Sequence, residues 1–97
     1  MIIVHDIFIC KPGNASKLAK MFKEIMSANR EFVQVMTDMV GSFNKVVIVS
    51  QFESLTAYEK SWDEYKENPE KAKNFQDAMK GYTEMYLTGS REIYQVW

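Results

Sequence analysis

The chain has one histidine, and it stands next to an aspartate in "MIIVHDIFICKPG", residues 1–13. Imidazole changes charge near neutral pH, so a histidine lining a pocket can take a proton from a bound ligand as general base. His5 is the candidate catalytic residue on that ground. A His–Asp dyad is excluded, because neighbours on a strand point to opposite faces. Strand register decides which of His5 and Asp6 faces a pocket, and the alternative for His5 is a purely structural, hydrogen-bonded role. Asp6 and Asp38 are carboxylates among apolar residues, and burying an unpaired charge is costly. Arg91, on the last predicted strand, is the expected partner for such a carboxylate.

A second group of candidates is aromatic. Phe22, Tyr58, Trp62, Tyr65, Phe75, Tyr82 and Tyr86 fall on predicted helices, where rings are either core or pocket wall. Tyrosine and tryptophan carry polar tips that need partners when buried. A cavity lined by such rings suits a planar, hydrophobic ligand, with Asp6, Trp62, Tyr65, Tyr82 and Tyr86 as its candidate binding residues. Other chemistries lack their residues. One His and one Cys, at no ligand spacing, predict no metal site. Phosphate-binding glycine loops, a nucleophile elbow and a dinucleotide fingerprint are absent. The chain is therefore expected to work without a cofactor or to catalyse nothing.

The elements that must position these residues follow from periodicity. Residues 2–10 read as a strand apolar at both parities except for His5 and Asp6. Pro12 and Gly13 stop it, and Asn14 or Ser16 can cap a helix whose apolar face is Ala15, Leu18, Ala19, Phe22, Ile25 and Met26. "FVQVMTDMV" (32–40) and "KVVIVSQF" (45–52) read as a hairpin turning at "GSFN", with Gly41 and Asn44 suited to positive φ. In the first of these, Val33, Val35 and Met39 are expected on one face, with Gln34, Met36 and Asp38 on the other. Ser54 caps a second helix. Asn68 and Pro69 open a third, predicted to run to about residue 87, before the closing strand "REIYQVW".

The order β-α-β-β-α-α-β over residues 1–97 predicts one ferredoxin-like α+β sandwich with a four-stranded antiparallel sheet. Its helices can cover one sheet face only, yet three strands look apolar on both. A second copy of the sheet is the economical cover, so a homodimer through the sheet faces is expected. With 46% hydrophobic and 26% charged residues and a net charge of −1, the composition fits a folded globular protein. Dispersed Lys and Arg argue against a nucleic-acid partner. The apolar start is too short to span a membrane, and a single cysteine points to a reducing cytoplasm.

"ICKPGNASKLAKMF", "VSQFESLTAYEKSW" and "REIYQVW" together resemble the dimeric α+β barrel superfamily, in its antibiotic-biosynthesis monooxygenase-like and NIPSNAP-like branches, from Ile2 to Trp97. The resemblance implies a homodimeric barrel with a pocket between sheet and helices in each subunit. Its members include cofactor-free oxygenases acting on aromatic polyketide-like substrates, haem-degrading proteins, isomerases and proteins with no known reaction. Haem binding there relies on a helical histidine, which this chain lacks. Some relatives use a first-strand histidine as base, the role that would fall to His5. The expected function is a small cofactor-independent monooxygenase, in which a deprotonated substrate itself supplies electrons to O₂. The alternative is a non-catalytic homodimeric ligand-binding or stress-related domain.

Overall fold

The computed structural model describes residues 1–97. Three elements come first: β1 (Ile2–Cys10), α1 (Ala15–Met26) and β2 (Phe32–Thr37). They are followed by β3 (Lys45–Phe52), α2 (Leu55–Glu67), α3 (Pro69–Ala78) and β4 (Tyr86–Gln95), with one 3-10 turn at Tyr82–Glu84. The strands form one four-stranded antiparallel sheet in the order β2-β3-β1-β4. This is the ferredoxin-like α+β arrangement expected from the element order. No helix is long and apolar enough to cross a membrane.

β1 is central, paired with β3 on one side and β4 on the other, so its alternation sets the two environments of the sheet. Ile2, Val4, Asp6, Phe8 and Cys10 point toward the helices, where Val46, Ile48 and Ser50 of β3 join them. Leu18 and Phe22 of α1 close over Cys10, Val46 and Ile48, and Met79, just past α3, completes this core. Fully burying an aliphatic side chain of this kind contributes about 1.5–3 kcal/mol. The opposite parity puts Ile3, His5, Ile7 and Ile9 of β1 beside Val47 and Val49 of β3 on a face that no helix covers.

The local signals for α1, α2 and α3 act as expected, with one variation. Ser54 Oγ accepts the Ala57 N–H at 3.1 Å, and Asn68 Oδ1 accepts the Lys71 N–H at 3.1 Å with Pro69 in the first turn. Asn14 occupies the cap position of α1 without a side-chain hydrogen bond. α1 packs flat on β2 and β3, whereas α2 and α3 bury no residue completely. They stand off the sheet and lean on it through aromatic rings.

Three expectations are corrected. β2 ends at Thr37, and the chain then makes a longer loop closed by Asp38, whose backbone N–H donates to the Lys45 carbonyl. Gly41 and Asn44 take positive φ as expected, but so does Phe43, at 65°. A register shift between Phe32 and Gln34 changes the parity of β2, as bulges do. Val35 therefore faces the core, Val33 stays exposed, and Met39 leaves the sheet. Finally, α3 stops at Ala78 rather than near residue 87. Gly81 adopts φ 85°, which ends the helical path, and β4 begins at Tyr86 with Gly89 inside it, opposite Phe8.

Candidate functional site

Because α2 and α3 stand away from the sheet, a cavity of about 580 Å³ lies between them, α1 and the helix-side face of β1, β3 and β4. That is within the size range of small-molecule pockets. Its walls are mostly rings. Phe52, Tyr58, Trp62, Tyr65 and Phe75 form a continuous edge-to-face series with centroid spacings of 5.1, 6.4, 6.2 and 6.0 Å. On the other side Phe22 meets Phe8 at 5.5 Å and Tyr82 at 6.2 Å. Edge-to-face pairs, and the stacked pair of Phe8 and Phe22, add about 0.5–1.5 kcal/mol each beyond their burial, which fixes the walls without filling the space.

Polar residues also line it, Glu31, Glu64 and Lys71 among them, and one charged pair stands on the sheet itself. Asp6 projects from the middle of β1 into the cavity, and Arg91 comes from the position directly opposite on β4. Arg91 Nε donates to Asp6 Oδ1 at 2.5 Å. The expected pairing of Asp6 with Arg91 is present, and it lies in the pocket wall. The guanidinium carbon sits 5.3 Å from the Trp62 ring centre and 5.9 Å from that of Tyr58, within cation–π range. Burial pulls the Arg91 pKa down. The hydrogen bond and charge of Asp6, with help from Tyr58, outweigh it and leave the guanidinium above its ordinary value. Arg91 is a permanent cation here. The two side chains keep 46% and 26% of their surface exposed, so the pair itself contributes no more than about 1 kcal/mol. Tyr58 buries its hydroxyl in the same wall without a hydrogen-bond partner.

The structure therefore brings together four of the residues expected in the site: Asp6, Trp62, Tyr65 and Tyr82. Tyr86 is displaced from it. It packs on Phe8 at 4.8 Å and lines a shallower groove on the β4 side, because β4 begins at this residue and turns it along the sheet. The expectation of His5 as the pocket's base is corrected. With Asp6 facing the helices, His5 must face away, and its ring meets the edge of Tyr94 at 5.3 Å on the helix-free face. Tyr94 in turn donates to Glu92 at 2.5 Å; that bond, then burial and the Glu92 charge, raises its pKa. Asp38 is not paired with an arginine. Its Oδ1 accepts the Lys45 N–H at 2.9 Å, and its Oδ2 is buried without a partner.

Most of the lining residues were not among the expected ligand contacts, and two of them, Arg91 and Tyr58, matter most here. Arg91 was readable only as a partner for a carboxylate, and Tyr58 only as one ring in a helical stripe. Alternation along β1 and β4 could have placed Arg91 beside Asp6, given the register.

A family model described as NIPSNAP matches residues 7–87. No curated protein matches the chain. Among solved structures, an uncharacterized NIPSNAP domain protein from Burkholderia xenovorans superposes with TM-score 0.81 at 11% identity, covering 100% of this chain and 95% of that one. A NIPSNAP family protein from Agrobacterium tumefaciens gives 0.77 at 13% identity, over 97% and 90% of the two chains. A Deinococcus radiodurans protein with the provisional name antibiotic biosynthesis monooxygenase gives 0.64 at 16% identity, over 100% and 93%. At these identities the structural likenesses concern the fold.

Proposed function

The chain belongs to the NIPSNAP family, and from that premise we propose that its pocket binds a small, planar, polyketide-like aromatic compound. The observation that supports this reading is the convergence of two rows of rings on a cavity of about 580 Å³ with the Asp6–Arg91 pair in its sheet wall. Rings on both sides suit a flat apolar body, and the pair supplies orientation. Trp62 reports directly on occupancy, since it lines the cavity, whereas Trp97 is fully exposed. In a Trp97→Phe background, titration with 2-naphthol should quench Trp62 fluorescence saturably. No saturable change up to the solubility limit of the probe would reject the pocket.

A second reading is a cofactor-independent monooxygenase on the same ligand. It is supported by the fold shared with the Deinococcus protein and by the carboxylate of Asp6 in the cavity, which takes the place considered for His5. Oxygen consumption with an enolisable ring compound tests it. A rate no higher than the protein-free blank would leave binding alone.

The assembly proposed with both readings is a homodimer through the helix-free face, where Ile3, Ile7, Ile9, Val47 and Val49 lie together. A stable dimer of this kind should bury upward of about 1,200 Å² in total. A reducing cytoplasm is the proposed compartment, in keeping with the free thiol of Cys10.

A further inference from the structure

The Asp6–Arg91 pair is bonded on one side only. A guanidinium has N–H donors on Nε and both Nη atoms, and Arg91 uses Nε alone, on Asp6 Oδ1. No protein group accepts from its Nη atoms or donates to Asp6 Oδ2. Both side chains line the cavity, border the shallower groove on the β4 side as well, and remain partly exposed. The rings of Tyr58 and Trp62 lie within cation–π range of the guanidinium and hold its position. The wall thus offers, side by side, a fork of free donors and a free charged acceptor.

We infer that this pair selects a planar ring bearing two oxygens in a 1,3 relation, one donating a hydrogen bond to Asp6 and one accepting from Arg91. This deepens the reading of the cavity as an aromatic-ligand pocket and rests on it. Three classes are disfavoured by the same geometry. A simple carboxylate gains from Arg91 but meets the negative charge of Asp6, and an amine gains from Asp6 but meets the positive charge of Arg91. The paired charges cancel locally, and Glu31, Glu64 and Lys71 elsewhere in the lining are of both signs, so an uncharged bifunctional ligand is the one that meets no like charge at the pair. Oxygens on adjacent ring carbons bond to each other, which ties up the donor. A 1,3 placement leaves both oxygens free to face the protein. Hydrogen bonds to ionised partners are the stronger kind, so making two of them should separate such a ligand from its one-oxygen analogues.

Calorimetric titration of the full chain with naphthalene-1,3-diol, 2-naphthol, 2-acetylnaphthalene and 2-naphthoate tests this. The diol is expected to bind about tenfold tighter than the two neutral one-group probes, with the carboxylate weakest. The doubly substituted Asp6→Leu/Arg91→Met protein replaces the pair by apolar side chains of similar size, a change that folded proteins often tolerate. It should keep its melting temperature within a few degrees, bind naphthol and acetylnaphthalene, and lose the preference for the diol. A diol no tighter than 2-naphthol in the unmodified protein overturns the inference and leaves the aromatic pocket standing. Tightest binding of the carboxylate also overturns it, by showing that Arg91 reads anions regardless of Asp6. If no probe binds, the pocket reading fails and the inference with it. The titrations of the unmodified protein decide the matter even if the double variant does not fold.

Discussion

Tyr58 buries a hydroxyl that no protein group meets, and an unmet buried polar group of this kind costs about 1–3 kcal/mol. Tyr58→Phe removes the cost while keeping the ring against Phe52 and Trp62. The variant should be at least as stable as the parent in urea unfolding; a loss above about 1 kcal/mol would mean that the hydroxyl has a partner after all. His5 and Asp6 differ by one position and by the whole thickness of the sheet. His5→Ala is therefore expected to leave 2-naphthol affinity unchanged within twofold, and a large loss would place His5 in contact with the cavity. Cys10 is buried at the end of β1, and burial pushes its thiol pKa up. A raised folded-state pKa gives stability that is complete below the unfolded thiol's pKa and fades as pH climbs past it. At pH 8 a thiol reagent should label Cys10 only in denaturant; fast labelling of the native chain would contradict its burial.

Asn68 serves two helices at once. Its N–H donates to the Tyr65 carbonyl at the end of α2, and its side chain accepts from Lys71 at the start of α3. Asn68→Ala removes the second bond and should cost about 1 kcal/mol in urea unfolding; no change would show that the bend between α2 and α3 is set by packing alone. These caps were legible because Ser54 and Asn68–Pro69 carry their chemistry in adjacent residues. So was α1, whose apolar face repeats at three- and four-residue steps. The end of α3 was not. Met79, Tyr82, Met85 and Tyr86 keep helical spacing, and only the left-handed backbone at Gly81 breaks the path. The β2 faces were misread for a related reason, since a bulge shifts parity without leaving a mark in residue type. At the site, alternation separates His5 from Asp6, but nothing local tells which of them meets the helices. That depends on where α1, α2 and α3 dock, a property of the assembled sheet.

The sheet as a whole has one packed face and one carrying Ile3, Ile7, Ile9 and Val47 without a helix above them. Ile7→Lys places a charge at the centre of that second face. It should convert the proposed dimer to monomer in sedimentation velocity, with 2-naphthol still bound in the opposite cavity; a dimer that persists would locate the interface elsewhere. The packed face is itself uneven. Leu18, Phe22 and Met79 join α1 and the turn after α3 to β1 and β3 in the core. By contrast, α2 and the body of α3 bury no residue completely, and α2 meets the sheet through Tyr58 against Phe52 and through Arg91 over Tyr58 and Trp62. Amide hydrogens in such a layer exchange with solvent through local opening, at a free energy below that of global unfolding. Deuterium should therefore enter Leu55–Ala78 well before β1 and β3, through excursions in which these helices lift while the sheet stays paired. Occupancy by a flat ligand would tie the two layers together and slow exchange in that segment selectively. Since the cavity is already open to solvent, the ligand need not wait for that lifting, and its binding would be read out as slower exchange at amides it never touches.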